Sequence, residues 1–513
     1  MNQAIYKKTD LTIRDLFIEI YDNKLIATNL IPKTYTVYKW NDNTTLYEKI
    51  CHTELTVLVM TELNTFMSKL IENLENKIMK AEDGRDIGMR NALKKKVKEC
   101  SKLQTRISSL NNIKNVASLV AAHLLDKEFE EKLDIDPNIV NFKNGIMDLK
   151  TGEFRKRTEE DLYTKTLDFS YNIYVNDDIT AEVNQIFKEI CNNNDKDTEA
   201  MKQWFGYCMT GCTDEQLSMW AAGYTAKNGK STLAIIFSLM FKIYCIEFDN
   251  RTFEDGFTKN HKQFNRAKGK RYAYIEEMSL KKFHTQLIKA LIDGFQIGNN
   301  EILFATAEEI DIGFKLHLIS NFNANFKMDN GMKRRFLFFA HNSEFFPEYE
   351  YDEHKDEPTA FCQRKDIREL FTKSTYKLAL FQILLPYAVE YYENRKLDKC
   401  YYLREEWKQM CAENDKMQNF IESYYIKTGK DDDIIYKEDF LEDYQRYSGL
   451  KNITWQNISN DIGRLKLKYD RQKEQGKTED GDRRRGFLIG IKRNTTKFPN
   501  ARHNALDDIE IDD

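Results

Sequence analysis

The segment Lys227-Asn-Gly-Lys-Ser-Thr232 constrains this chain more than any other feature. It follows the apolar run Leu217-Ser-Met-Trp-Ala-Ala222, short enough for a buried strand, and precedes a helical pattern from Leu233 to Phe241. Strand, glycine loop and helix in that order make a phosphate cradle. Glycine lets backbone N–H groups curl around phosphates, lysine neutralises the terminal ones, and the following hydroxyl ligates Mg²⁺. The expected ATP contacts are Gly223, Thr225, Ala226, Lys227, Asn228, Gly229, Lys230, Ser231 and Thr232. One departure stands out. The strict pattern wants glycine five positions before Gly229, where this chain has Tyr224, with Gly223 one residue earlier, so the turn is expected to be built differently.

Three further segments gain meaning from this loop. Lys270-Arg-Tyr-Ala-Tyr-Ile-Glu-Glu-Met278 is β-like and ends in two carboxylates, 46 and 47 residues after Lys230. One acid of such a pair can hold the Mg²⁺ shell while the next activates the attacking water. Lys315-Leu-His-Leu-Ile-Ser-Asn321 places an amide at another strand tip, where it can feel the γ-phosphate. Asp329-Asn-Gly-Met-Lys-Arg-Arg335 offers two arginines ahead of the apolar run Phe336-Leu-Phe-Phe-Ala340, as an arginine finger for a neighbouring subunit would require. Taken singly, these are a strand end, a turn and a solvated strand start.

At 513 residues the chain is long enough for two to four domains. Its 41% hydrophobic and 31% charged residues exclude a disordered or collagen-like polymer. Lys+Arg (78) nearly balance Asp+Glu (82), so a nucleic-acid partner must be held by local basic patches. The longest apolar stretch, Leu378 to Val389, is broken by Gln382 and Pro386, and the N-terminus lacks the apolar core of a signal peptide. No membrane partner is expected, and nine cysteines without an export signal read as reduced, intracellular thiols. Cys208 and Cys212 read as buried thiols rather than zinc ligands, and the run Lys94, Lys95, Lys96, Lys98, Lys102 and Arg106 as a solvated helix face.

Along the chain, β-like runs such as Thr34 to Trp40 give way to helical spacing from Glu54 to about Lys132. Residues 136–166 read as a β-hairpin with turn pairs Asn144-Gly145 and Thr151-Gly152, and Glu182 to Thr210 as helix. The acidic, aromatic stretch Glu344 to Glu357 reads as a surface loop at a boundary, followed by helices over 366–425. The last 18 residues read as an acidic, disordered tail.

Packed into residues 223 to 335, the loop, acid pair, strand-tip Asn and arginine pair resemble a superfamily 3 helicase, the compact viral and plasmid branch of AAA+ ATPases. The match is closest to the poxvirus-type and phage/plasmid helicase-primase family. Its P-loops often read NGKST, and its second strand typically follows Gly-Lys-Arg, as Gly269-Lys-Arg271 does here. Asn141-Phe-Lys-Asn-Gly-Ile-Met-Asp-Leu149 is also similar, so the likeness covers roughly residues 110–345.

The resemblance implies an α/β fold: an AAA+-like P-loop ATPase core with an N-terminal mainly helical domain and a C-terminal winged-helix-like domain. The expected divisions are 1–110 α+β/helical, 111–180 collar with hairpin, 181–345 ATPase core, 346–412 helical connector, 413–495 winged-helix-like and 496–513 tail. It gives Lys230 and Ser231 the phosphate and Mg²⁺ roles, Glu276 the Mg²⁺ side, Glu277 the catalytic base, Asn321 the sensor, and Arg334 or Arg335 the finger. The family's DNA-binding hairpin falls at 294–312, where Asp293 to Glu301 departs from the expected pattern; Lys289 and Lys315 remain DNA-contact candidates. Arg483, Arg484 and Arg485 lie at a candidate wing, in a stretch from Arg464 to Arg493 with 11 Lys/Arg against 5 Asp/Glu.

The implied activity is a hexameric, ATP-driven 3′→5′ helicase in viral, phage or plasmid DNA replication, acting on single-stranded and forked DNA. Its implied setting is the host cytoplasm (a virus factory) or nucleus, or a bacterial cytoplasm. Too few residues precede the resemblance for a primase domain, so a separate primase, polymerase or single-strand-binding protein is the expected company. The rival readings are a packaging or loading ATPase that never separates strands, and a nucleotide-binding origin scaffold.

Overall fold

The structure is a computed structural model that describes residues 2–21, 25–29, 35–82, 87–174, 176–223, 227–253, 264, 266–277, 284–294, 313–321, 330–405, 407, 416–449, 453–477 and 483–494. Thr225, Ala226, the hairpin stretch 295–312 and the tail 496–513 lie outside the described residues.

The chain opens with helices α1 (Asn2–Lys7) and α2 (Asp10–Ile20), then the antiparallel strands β1 (Leu25–Asn29), β2 (Thr36–Asn41) and β3 (Leu46–Ile50). Helices α3 (His52–Glu82) and α4 (Ile87–Ile107) form a long hairpin, α3 spanning roughly 46 Å at 1.5 Å per residue, and α5 (Leu110–His123) packs at its base. Leu55, Val59, Leu63 and Met67 recur at helical spacing and bury one face against Leu103, Ile107 and Val116. Lys94, Lys95 and Lys98 lie exposed on α4, as a solvated face requires.

After α6 (Phe129–Lys132), strands β4 (Ile139–Phe142), β5 (Gly145–Asp148) and β6 (Glu153–Arg155) make the expected hairpin with one strand added. Gly145 is required at its turn, because a Cβ there would lie 2.3 Å from the Arg155 carbonyl oxygen. The stretch expected as one helix is two, α7 (Asp177–Ile190) and α8 (Asp195–Met209). Asn192 and Asn193 both adopt left-handed φ, and Asn194 caps α8, so the local amide chemistry of asparagine overrides the helical periodicity.

Next come β7 (Ser218–Gly223), α9 (Lys230–Met240), β8 (Cys245–Glu247), β9 (Tyr272–Ile275), β10 (Lys315–Asn321) and β11 (Phe336–Ala340). The five strands form one parallel sheet in the order β11-β7-β10-β9-β8. Successive residues point to opposite faces. Met219, Ala221, Tyr272, Tyr274, Leu337 and Phe339 join the core with α7, α8, α9 and the helix Ser374–Asn394, while Trp220, Ala222, Ala273, Ile275, Phe336 and Phe338 join the other. Both faces are covered, which is why these strands read as continuous apolar runs.

The stretch expected as a surface loop is instead folded. It forms β12 (Glu344–Phe346), a helix Glu348–His354 and β13 (Ala360–Cys362), with β12 and β13 paired in parallel. Its acidic side chains face solvent while Phe345 packs on the main core, an aromatic anchor that the density of charge conceals in the sequence. A last unit combines the helix Lys416–Tyr424, β14 (Tyr425–Lys427), β15 (Ile434–Tyr436), helices Lys437–Ser448 and Trp455–Arg464, and strands β16 (Lys468–Lys477), β17 (Arg483–Ile489) and β18 (Ile491–Arg493). It has its own core around Phe420, Phe440 and Leu488, and buried Asp443 accepts from Tyr425 Oη at 2.7 Å and Arg493 Nε at 2.9 Å.

The sheet's N-terminal edge is held by cations. Arg271, just before β9, donates to the carbonyls of Met209 at 2.9 Å, Asp136 at 2.8 Å and Ile139 at 2.6 Å, and stacks on Tyr244. Lys315 donates to the carbonyls of Thr210 and Cys212. Together they occupy the carboxyl end of α8, where unpaired carbonyls and the helix dipole favour positive charge. Arg271→Met leaves three carbonyls without this donor, and the expected loss is on the order of 3 kcal/mol. A lowered urea-unfolding midpoint, partly recovered in Arg271→Lys, checks it.

Candidate functional site

The phosphate loop leaves the C-terminal end of β7, an interior strand next to central β10, where strand order reverses and open parallel sheets place their ligands. Its unusual turn has a direct physical cause. The Asn228 side chain, 2% exposed, folds back under the loop, and a Cβ on Gly223 would lie 1.8 Å from its Nδ2. Gly223 thus provides the close approach, and Tyr224 need not be glycine for that purpose. Lys227 and Gly229 both take left-handed φ, of 59° and 77°, and Lys230 begins α9 as a buried residue whose pKa is lowered by desolvation. Thr232 opens the first turn, its N–H donating to the Gly229 carbonyl at 3.0 Å.

The structure brings the acid pair to the same edge. Glu276 directly follows β9, and the Ser231 hydroxyl is near enough to favour its charged form. Its Oε1 is buried with no hydrogen-bond partner among the described residues. Its pKa is raised, first by burial and then by the charge of Glu247 at the end of β8, against the lowering pull of Ser231 and Arg368. Glu277 is exposed and left-handed at φ 52°, a conformation that carries strain in a non-glycine residue and turns the chain sharply at the strand tip. Asn321 pairs with Gly223 in register, so the third strand tip lies beside the loop.

Among the described residues no group of three or more His, Cys, Asp or Glu could enclose a metal ion. Mg²⁺ usually takes one or two protein ligands and completes its shell with substrate phosphates and water. The orphaned Glu276 Oε1, at the same sheet edge as Ser231, fits such an ion.

Three residues near the loop carried no sequence signal. His341 extends the β11 pairing, its N–H donating to the Ala222 carbonyl at 2.7 Å, and its buried ring lies by Asn228 and Lys230. Ser343 donates to the carbonyls of Glu189 and Ile190, closing the end of α7. Phe345 N donates to the Lys227 carbonyl at 2.9 Å, and its ring lies 3.2 Å from a Cβ built on Gly229.

The two arginines separate. Arg335 is buried and forms a bidentate pair with Asp293, Nε to Oδ1 at 2.8 Å and Nη2 to Oδ2 at 2.5 Å. Arg334 is exposed. Both precede β11, whose Phe336 pairs with Ser218 at the start of β7, so they lie at the sheet edge opposite the loop, ~17 Å away. Lys315 must be withdrawn as a surface cation for DNA. It is 2% exposed, its ammonium is committed to carbonyls, and burial lowers its pKa to about 8. Lys289 is half-buried on the helix Thr285–Ile292. In the last unit Arg484 lies 3.9 Å from Asp439 and Arg485 is exposed, both on β17 with Arg483.

Residues 15–208 match the family described as D5 N terminal like, a span that ends before the phosphate loop. A protein of Invertebrate iridescent virus 3 carrying the name helicase 121R is 26% identical over 142 residues, 26% of this chain. The match spans 15% of that relative's length. Among solved structures, the apo NrS-1 C-terminal region aligns over 94% of this chain and 100% of its own at 10% identity, with a TM-score of 0.45. Its A form aligns over the same shares with a TM-score of 0.43. The family match and the helicase-named relative point together toward D5-like primase-helicases. No described helix is long and apolar enough to cross a membrane.

Two outcomes follow from this geometry. Gly223→Ala displaces the Asn228 amide and the loop with it, and nucleotide affinity is expected to fall at least about tenfold, as titration with a fluorescent nucleotide would measure; side chains under 3 Å apart force one to move. His317, bonded at Nδ1 to the Tyr272 hydroxyl at 2.7 Å, and His341 are held neutral by burial, with pKa lowered from 6.5 to about 3. Between those values the unfolded chain binds more protons than the folded one. Their contribution is therefore complete above pH 6.5 and falls by up to about 1.4 kcal/mol per unit for each as pH drops toward 3. Urea midpoints measured from pH 7 to 4.5 should fall less steeply in His317→Asn than in the parent.

Proposed function

We propose that the chain is an ATP hydrolase of superfamily 3 type that drives a DNA helicase in replication. The observation that carries this reading is the shared sheet edge: Lys230 and Ser231 open α9 after β7, and Glu276 and Glu277 follow β9, whose neighbour β10 ends in register with Gly223. These are the parts phosphoryl transfer needs on one sheet edge: a lysine for the terminal phosphates, a hydroxyl and a carboxylate for Mg²⁺, and a second carboxylate for water.

Mg²⁺ held by Ser231 and Glu276 would offset charge on the β- and γ-phosphates. Lys230 binds the same phosphates from the start of α9. Glu277 accepts a proton from the attacking water as its oxygen bonds to the γ-phosphorus. The bond to the bridging oxygen breaks, its electrons leave with ADP, and inorganic phosphate is released. Asn321, at the strand tip in register with Gly223, would orient the γ-phosphate or the water.

Arg334 is the better finger candidate, since Arg335 is committed to Asp293. Its place on the far edge of the sheet supports service to a neighbouring copy, as a hexameric ring would arrange. The last unit, with three helices, an antiparallel sheet and the Arg483-Arg-Arg485 strand, supports the winged-helix reading and a role in phosphate contact. The D5 N terminal like match and the helicase-named viral relative support DNA replication as the setting.

ATP turnover of the purified chain with and without single-stranded DNA tests the reading. Stimulation by DNA is expected, with a fall of about 10²-fold or more in Lys230→Ala and Glu277→Gln. Unwinding of a forked duplex distinguishes a helicase from a packaging or loading motor. Absence of turnover in the parent chain would sink the proposal.

A further inference from the structure

Helix α4 departs from the charge balance of the rest of the chain. Lys+Arg and Asp+Glu number 78 and 82 over the whole sequence, yet the 21 residues Ile87–Ile107 carry seven Lys/Arg and one Glu. These cations fall into two groups. Toward the carboxyl end of the helix they are neutralised: Glu99 accepts from Lys8 and from Lys102 at 2.9 Å, and Arg106 donates to Asp10 at the start of α2 at 2.6 Å. Ahead of Glu99 the pattern changes. Lys94, Lys95 and Lys98 are exposed and form no hydrogen bond or ion pair with another described residue. Glu72 and Glu75 of the neighbouring α3, exposed themselves, leave these lysines unpaired.

Helix geometry gathers the three on one side. At about 3.6 residues per turn they lie within roughly 100° of arc, while buried Cys100, Leu103 and Ile107 occupy the other side and join the core with α3 and α5. Lys94 and Lys98 are four residues apart, as are Lys98 and Lys102, and like charges at that spacing repel. A face built only for solvation has no need of a single sign of charge. This one opposes its own helix until an anion neutralises it.

The shape and chemistry of the face narrow the anion. The lysines stand on a straight helix roughly 30 Å long, with no aromatic residue along it. Sites for single strands combine cations with aromatic rings on which unpaired bases stack. A duplex offers about one charge per 1.7 Å of its axis and is held along its flank by cations alone.

We infer that the Lys94, Lys95 and Lys98 face of α4 is a contact surface for the phosphate backbone of duplex DNA, without regard to sequence. It lies outside the parallel sheet and needs neither nucleotide nor turnover, so it goes beyond the ATP-site reading and stands apart from it. In a motor that separates strands, such a face holds the duplex still to be opened.

Fluorescence anisotropy of a labelled duplex and of its isolated single strand, titrated with the full chain over a series of KCl concentrations, tests the inference. Changing Lys94, Lys95 and Lys98 together to Gln should weaken duplex binding at least about tenfold and make the slope of log affinity against log salt shallower by about 2 to 3, as loss of three phosphate contacts predicts. Single-strand affinity should fall less than duplex affinity. The three changed to Arg should keep duplex binding, and changing exposed Lys49, Lys150 and Lys156 to Gln should leave it unaltered.

Unchanged duplex affinity and salt slope in the Gln variant would overturn the inference. An equal loss in the Lys49, Lys150 and Lys156 variant would do the same, by tracing the effect to net charge, and a loss in the Arg variant would trace it to the fold of the arm. A larger loss for the single strand would assign the face to the other form of DNA. A parent chain without ATP turnover overturns the ATP-site reading and leaves this titration to be read by itself.

Discussion

The attachment of two buried cations to the carboxyl end of α8 is the constraint on which the rest of the core depends. Arg271 and Lys315 stand at the start of two neighbouring strands, and both point at carbonyls that α8 leaves unpaired. Arg271 also reaches Asp136 and Ile139, so one guanidinium fixes the hairpin, the helix and the sheet against one another. Neither cation has a carboxylate partner in these bonds. Carbonyls at a helix terminus serve instead, a geometry in which the dipole replaces a counter-charge. Because β9 and β10 are paired in parallel, fixing where they start also fixes where they end, at Glu276 and Asn321. The chemistry at one edge of the sheet is positioned from the other.

A second constraint acts at the loop itself. The Asn228 amide fills the space that a side chain at Gly223 would take, and Phe345 and Ile190 close on Gly229 from the outside. The loop is thereby held on three sides by residues from α7, β12 and the stretch after β11 rather than by glycine content. Left-handed Lys227 and Glu277 are the local cost of turning the chain at both strand ends.

The central strands were legible because both faces of the sheet are covered, which turns each strand into an uninterrupted apolar run. The hairpin at 136–166 was legible from Asn144-Gly145 for a different reason, since Gly145 has no room for a Cβ. The order of strand, loop and helix was legible from the apolar run and the glycine, and β7, the helix from Lys230 and β9 ending before Glu276 follow it. What was not legible came from packing. Charge in Glu344–Glu357 hid the pairing of β12 with β13 against the loop, and nothing in the pattern of Lys315 distinguishes a buried helix cap from a surface cation. Likewise Arg334 and Arg335 are adjacent and chemically identical, and only the position of Asp293 separates them.

The opposed placement of the loop and Arg334 on a sheet about 17 Å deep has a geometric consequence for assembly. If an arginine from one copy completes the site of the next, the contact joins two different surfaces, so it is head-to-tail and not self-complementary. Any open row of copies then ends with one site that has no arginine and one arginine that has no site. Closure into a ring is the arrangement that leaves no such ends, and per-chain turnover becomes a property of the number of copies joined.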